Sequence, residues 1–346
     1  MSTPFSHFFT KINQISPLEH EFTEVLEAIA LTPRTLYFRG KLPENVSKPT
    51  KTKRIPQHKS TTKSTPKNRT NRPKTVAIVG SRHNTKYGEE VAYKLAYELA
   101  KKGVIIVSGL AYGIDSIGHK GCLDAGGTTI AVLGTPIDRI YPVPHEPLAR
   151  KIIEQGGAII SEYAPRTQEY ANVPLAPGEY LTESGKRTGD PKGSFLYRNR
   201  IISGLSDIVV IVEAAEQSGS LNTATHAIEQ GKTVFAVPGN ITNPYSQGCN
   251  KLIKQGALPY TEPADILMEL FPDDYTKVYK HLKKQKLLGD TDVETLILQA
   301  IASGARSGDQ IMQITHLPPE VFNQTTTLLE IKGRLRPLGM NTWSLT

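Results

Sequence analysis

Thr75-Val-Ala-Ile-Val-Gly-Ser-Arg-His-Asn84 is a short apolar run that breaks into a glycine-bearing turn, and a helical pattern follows from about Tyr87 to Lys102. The same order then recurs. Val104–Val107 runs into a second glycine-rich turn and a helix through His119 and Leu123. Thr129–Leu133, Ala158–Ile160, Ile208–Val212 and Thr233–Val237 are further apolar runs separated by helical segments. Unbroken apolar runs of this length suit strands covered on both faces. Their alternation with helices predicts an α/β, doubly wound, mainly parallel sheet. In such sheets ligands sit beyond the carboxyl ends of the strands, where the chain turns into a helix. The glycine- and serine-rich turns fall there.

Outward from this core, the chain of 346 residues has room for one large α/β domain and small modules. Its formal charge of +8 is unevenly placed. Between Lys41 and Lys74 stand eleven Lys or Arg and one acid, Glu44; the rest holds 30 of the 41 basic residues and 32 of the 33 acidic ones. A Ser/Thr/Lys/Pro tract of this kind buries too little to offset its ordering entropy, so residues 41–74 read as a disordered basic linker. Two roles stay open for it, loose phosphate binding or a solvated spacer. Residues 1–40 read as a short helical segment, because Leu18, Phe22, Val25, Leu26 and Ile29 recur at helical spacing between Pro17 and Leu31. The core domain spans 75–272.

Residues 288–346 form a last module. Val293, Leu296, Ile297, Ala300 and Ile301 make one helical stripe, Ile311, Ile314 and Leu317 belong to a second, and Pro318–Ile331 is a third. Two short strands around Gly339–Asn341 complete the pattern of a winged helix. Its third helix carries Glu320, Glu330 and only Lys332 as a base, which favours a protein contact over a phosphate contact. Cys122 and Cys249 make neither a disulfide framework nor a zinc site and read as small buried side chains. Met1–Gln14 has no signal-peptide pattern, and no apolar run is long enough for a membrane span; a cytoplasmic protein is expected.

Four turns carry the chemistry. In Gly80-Ser81-Arg82, glycine lets backbone approach a phosphate, the coming helix start offers amides, and Arg82 adds a bidentate donor. The turn is neither G-x-G-x-x-G nor a Walker A loop, and no acid ends the Val104–Val107 strand to hold a ribose, so no dinucleotide or other cofactor is expected. In Ser108-Gly109-Leu-Ala-Tyr-Gly-Ile-Asp115, the aspartate is expected to cap the next helix, with a direct ligand role as the alternative. Gly193-Ser-Phe195-Leu-Tyr-Arg198-Asn199-Arg200, with Lys192 before it, reads as a turn in which cations and aromatics interleave, as a single strand requires. Phe195 has a core reading as well. Ser218-Gly219-Ser220 opens a further helix with small donors, and Pro238-Gly239 closes the series. Four such turns on one sheet edge predict a phosphate-lined groove.

At these turns the sequence resembles the DprA/Smf family. The motifs are Ile78-Val-Gly-Ser-Arg82, Ser108-Gly-Leu-Ala111, Gly113-Ile-Asp115, Tyr141-Pro142, Ser161-Glu162, Arg198-Asn-Arg-Ile-Ile-Ser-Gly-Leu-Ser206, Val212-Glu-Ala214, Ser218-Gly-Ser220, Thr223-Ala224 and Pro238-Gly239. The resemblance implies an extended Rossmann-like domain, a homodimer, single-stranded-DNA binding, and loading of the RecA recombinase in natural transformation or recombination. It also implies that Arg82, Lys192 and Phe195 line the DNA pocket. Two departures stand out. Residues 163–191 form a longer Pro/Gly-rich loop, and the N-terminal domain is shortened beside the basic linker.

The competing reading is an enzyme, a phosphoribohydrolase of the lysine-decarboxylase-like family, which carries Pro-Gly-Gly-x-Gly-Thr followed by a glutamate. Here the helix start reads Ser218-Gly-Ser-Leu-Asn-Thr223, followed by Ala224, Thr225 and His226. Glu162 and Glu213 lie near strand ends without an evident base or nucleophile. His119 and His226 fall on helices, where packing or surface roles are expected, and neither a catalytic residue nor a metal site is assigned.

Overall fold

The computed structural model describes residues 11–44, 72–166, 179–181, 187–189, 191–272 and 287–345. The chain divides into two compact units, Met1–Leu270 and Phe271–Thr346.

In the large unit, β3 (Thr75–Val79), β4 (Ile105–Ser108), β5 (Thr129–Leu133) and β6 (Ala158–Ser161) are laid down side by side and parallel. The chain then returns to the other flank of β3 and adds β9 (Ile208–Ile211), β10 (Thr233–Ala236) and β11 (Leu258–Pro259), again parallel. The order therefore reverses at the β3–β9 pair, the position where a doubly wound sheet opens a crevice. Helix α1 (Lys86–Lys101) follows β3, α2 (Ile114–Asp124) follows β4, α3 (Glu146–Glu154) follows β5, and α5 (Gly219–Glu229) follows β9. Helix α4 (Pro191–Leu205) precedes β9. Alternate strand residues serve opposite layers. Ala77, Val79, Val209 and Ile211 pack with Ile201 and Leu205 of α4 and Ala224 of α5. Ile78 points the other way, onto Gly118 of α2. An α/β sheet of the expected class is thus covered on both faces.

The N-terminal segment differs from its expected helix. Its strands β1 (Asn13–Ile15) and β2 (Leu36–Gly40) extend the sheet beyond β6, with β2 antiparallel to β6. Between them lie only two 3-10 turns, Pro17–Glu19 and Glu24–Ala28. Side chains take the backbone partners an α-helix would need: the Thr23 hydroxyl donates to the Pro17 and His20 carbonyls at 2.8 and 3.1 Å, and Phe22 N–H donates to His20 Nδ1 at 3.1 Å. Phe22, Leu26 and Ile29 are buried all the same, packed on the α4 layer. A methyl on Gly204 of α4 would lie 2.7 Å from Leu26, so that packing needs the glycine.

Most of the basic tract, residues 45–71, lies outside the described residues. Of the long 163–191 segment, β7 (Glu179–Leu181) and β8 (Arg187–Gly189) form a small antiparallel pair. Helix α6 (Gln247–Lys254) and α7 (Pro263–Leu270) complete the unit.

The second unit is a winged helix: α8 (Asp292–Ala302), α9 (Gly308–Thr315), α10 (Pro319–Ile331) and the antiparallel pair β12 (Leu335–Gly339) and β13 (Thr342–Leu345). Thr291 caps α8, and Ser307 with Gln310 forms a capping box on α9. Ile297, Ile301, Ile311, Leu329 and the edge-to-face pair Phe322–Trp343, with centroids 5.5 Å apart, make its core.

Among the described residues no helix is long and apolar enough to cross a membrane, and no group of three His, Cys, Asp or Glu is placed to hold a metal.

Candidate functional site

A cleft of about 560 Å³ opens beyond the carboxyl ends of β3 and β9. Its walls are the first turn (Gly80, Ser81, Arg82, His83), one face of α4 (Phe195, Leu196, Arg198, Asn199) and the start of α5 (Ser218, Gly219, Ser220). The switch point brings these segments together from distant stretches of sequence.

Arg82 is exposed, and its guanidinium carbon stands 5.6 Å from the centroid of the half-buried Phe195 ring. Tyr141 also packs against this ring, with centroids 5.3 Å apart. Gly134, after β5, admits the ring: a Cβ there would lie 2.6 Å from Phe195. Phe195 is thus half-buried at the rim of the cleft and belongs to none of the buried core clusters of the described residues. Ser81 is less available than its sequence suggests. Its N–H donates to the Glu213 carbonyl at 2.7 Å, and its hydroxyl is tied to the His83 backbone. The second turn braces the first, since Ile114 N–H donates to the Ser81 carbonyl at 3.2 Å. Gly113, at φ 73°, lies so close that a Cβ would be 2.3 Å from that oxygen.

The stretch expected to be a third turn is helix. Gly193–Arg200 lies in the first turns of α4, and its cations have separate fates. Arg198 is buried and donates to the Gly109 carbonyl at 2.9 Å and to the Val132 carbonyl. Burial lowers its pKa to about 10, with Asp115 opposing, so it stays charged at neutral pH. Asp115 does not cap α2, whose cap position is Gly113. Its carboxylate instead accepts from Gly109 and Ala111 N–H at 3.1 and 3.4 Å and holds the preceding loop. Arg200 does not line the cleft. It pairs with Glu162 through two bonds of 2.9 and 2.7 Å, donates to the Leu31 carbonyl at 2.9 Å and stacks on Tyr197. Asn199 donates to the Gly219 carbonyl and to Asn222 at 3.2 Å, joining α4 to α5. Ser108 is buried, its hydroxyl on the Ile78 carbonyl at 2.6 Å. Gly109 makes room for Arg198, which a Cβ would meet at 2.6 Å. Lys192 belongs to the first turn of α4, and its side chain lies outside what the structure describes.

The remaining acids and histidine are committed to structure. The Glu213 carboxylate is buried on Thr85, and Glu162 is held by Arg200. His119 is buried against the Thr129 hydroxyl at 2.7 Å, and burial first, then His145 and Arg198, bring its pKa down to about 3. Sequence reasoning gave no role to His83, Gln217 or Tyr245, which also line the cleft. His83 and Gln217 adjoin the recognised turns; Tyr245, six residues beyond Gly239, offers no local signal.

Fold and cleft define a doubly wound α/β protein with a cationic, aromatic crevice at its switch point and a separate winged helix. The model of the family described as DNA recombination-mediator protein A matches residues 49–271, and that of the DprA winged helix domain matches 282–339. The chain belongs to the DprA/Smf family.

Protein Smf of Escherichia coli K12 is 47% identical over 195 residues, 56% of this chain and 46% of that protein. The DNA processing protein DprA of Bacillus subtilis is 40% identical over the same length, 58% of that protein. The chain thus spans about half the length of these relatives. Among solved structures, DprA of Streptococcus pneumoniae aligns at TM-score 0.54 and 32% identity over 76% of each chain. DprA of Helicobacter pylori, solved in a study of its single-stranded-DNA binding mode, aligns at 0.55 and 27% over 76% of this chain and 97% of that one.

Proposed function

We propose that this chain binds single-stranded DNA in the cleft between the first turn, α4 and α5, and acts as a recombination mediator. The observation that carries the reading is the solvent-facing Arg82 set over the half-buried Phe195 ring. A cation for phosphate beside an aromatic face for a base is the pairing that sequence-tolerant single-strand binding uses. Gly219, at the start of α5, lines the same cleft and brings the positive end of that helix to it, with Ser220 held by Ser218 behind it. Lys192 joins the set through its place in the first turn of α4. Arg198, Asn199 and Gly109 hold the walls in register, and Arg200 and Ser108 anchor the scaffold behind them.

Membership of the family, together with the single-stranded-DNA binding of the Helicobacter pylori relative, supports extending the reading to a homodimer that protects exposed strands and loads a RecA recombinase onto them. The eleven basic residues from Lys41 to Lys74 add affinity of no sequence preference, through counterion release.

A salt-titrated binding assay with single-stranded DNA, duplex and mononucleotides tests this. Single strands are expected to bind tightest, and a chain lacking residues 45–73 is expected to show a flatter salt dependence. Equal affinity for duplex and single strand would sink the cleft reading. An unchanged slope would reduce the tract to a spacer.

A further inference from the structure

The two helix starts beside the switch point differ in charge. At α1 the Glu213 carboxylate lies on the cap residue: Thr85 N–H donates to Oε2 at 2.8 Å and the Thr85 hydroxyl donates to Oε1 at 2.6 Å. The same hydroxyl accepts from Gly88 N–H at 3.3 Å, so the carboxylate polarises a second donor of the first turn. Glu213 is 1% exposed, and its fit requires Gly88, where a Cβ would sit 2.3 Å from Oε2. The Glu213 carbonyl also takes the Ser81 N–H. The positive end of a helix that follows the first strand of a doubly wound sheet is where such folds receive a nucleotide phosphate. Here the chain's own carboxylate fills it. At α5 the cap is the neutral Ser218, whose hydroxyl accepts from Ser220 N–H at 3.3 Å. The nearby Glu216 is exposed and bridges Lys251 at 3.3 Å. That start opens into the cleft.

We propose that Glu213 is a specificity-determining residue, a built-in anion that occupies the positive end of α1, excludes free nucleotide phosphate from it, and leaves strand phosphates to Arg82 and the start of α5. The last clause rests on the reading of the cleft as a single-strand site. Two physical effects act together. The carboxylate takes the Thr85 N–H and hydroxyl at the head of the helix, and its charge repels a second anion at short range in a poorly solvated place. On this reading a free mononucleotide meets a carboxylate at the start of α1, and only the open groove beside it remains for phosphates.

Full-length Glu213→Ala removes the anion and opens its space. Its melting temperature is expected to fall, and sodium phosphate is expected to restore it where sodium chloride of equal ionic strength does not. Thymidine 5′-monophosphate is expected to bind it about tenfold more tightly than the unaltered chain. Glu213→Gln keeps the shape and an acceptor for Thr85. It is expected to melt closer to the unaltered chain and to gain nothing from phosphate. An unchanged melting temperature in Glu213→Ala, relief by chloride as large as by phosphate, or equal phosphate relief in Glu213→Gln would each overturn the proposal. Should Glu213→Ala fail to fold, greater refolding yield in phosphate than in chloride supports the proposal and equal yield overturns it. None of these measurements contains DNA. Failure of the cleft reading would show separately, as unaltered single-strand affinity in Arg82→Ala.

Discussion

In the winged-helix unit Lys332, at the end of α10, is held between Asp290 at 2.6 Å and Glu294 at 2.7 Å, and their hydrogen bonds raise its pKa. In the large unit Arg82 faces solvent over Phe195, with no carboxylate at ion-pair distance among the described residues. Both cations stand where a nucleic-acid contact would be sought, one ending a third winged-helix helix and the other entering a helix at a switch point. The difference is commitment. A cation already paired loses one partner to gain another, whereas Arg82 exchanges mainly hydration for a phosphate. Helix α4 repeats the contrast within a single element, because Arg198, although it lines the cleft, is spent on carbonyls and Arg200 on Glu162, while the Phe195 ring stays half-exposed there. Charge along the sequence is therefore a poor guide to phosphate contacts until the partner of each cation is known.

Four substitutions sharpen or break this comparison. The largest effect is expected for Arg200→Ala, which leaves Glu162 buried without its cation. Breaking a buried pair of this kind costs about 3–5 kcal/mol of stability, read from chemical denaturation. A loss under about 1 kcal/mol would show the pair to be dispensable. Phe195→Ala is next, with a loss of about 1–3 kcal/mol in single-strand affinity, little change of salt slope and a folded protein by melting. A large fall in stability with unaltered affinity would return Phe195 to the core. Arg82→Ala is expected to weaken binding of all sequences alike and to lower the salt slope by about one contact. The smallest effect is expected for Lys332→Ala, which should lower the melting temperature of the winged helix slightly and leave the salt slope of single-strand binding as it was. A slope reduced as much as by Arg82→Ala would erase the distinction between committed and available cations.

Much of the fold was legible because buried parallel strands leave unmixed apolar runs such as Ile208–Ile211, and because the turns after them are rich in glycine and serine. Strands β1 and β2 were not legible. They are short, β1 lies at the sheet edge, and apolar residues at helical spacing between them serve 3-10 turns whose backbone bonds go to Thr23 and His20. Of the residues around the cleft, Gly80, Arg82 and Ser218–Ser220 were readable from turn chemistry, and Phe195 from the interleaving of aromatics with cations, although its stretch is helix where a turn was expected. The inward course of Arg198 and Arg200 was not, since an arginine in sequence carries no mark of its partner. Helical spacing did hold a clue: Phe195, Arg198, Asn199 and Ile202 fall at i, i+3, i+4 and i+7, one face of a helix, and all four line the cleft.

The seam between β2 and β6 sets an order of assembly. Tyr37 pairs with Ser161, Phe38 with Ile160, and Leu26 settles into the space left by Gly204, so the N-terminal segment docks on parts of the chain far downstream. Contacts this distant along the sequence form only after the loop between them has been closed. On a ribosome releasing about 5–20 residues each second, the segment that carries β1 and β2 must wait on the order of 10–40 seconds until β6 and α4 have followed it out. Until that segment docks, the flank of β6 is an open edge inviting a foreign strand.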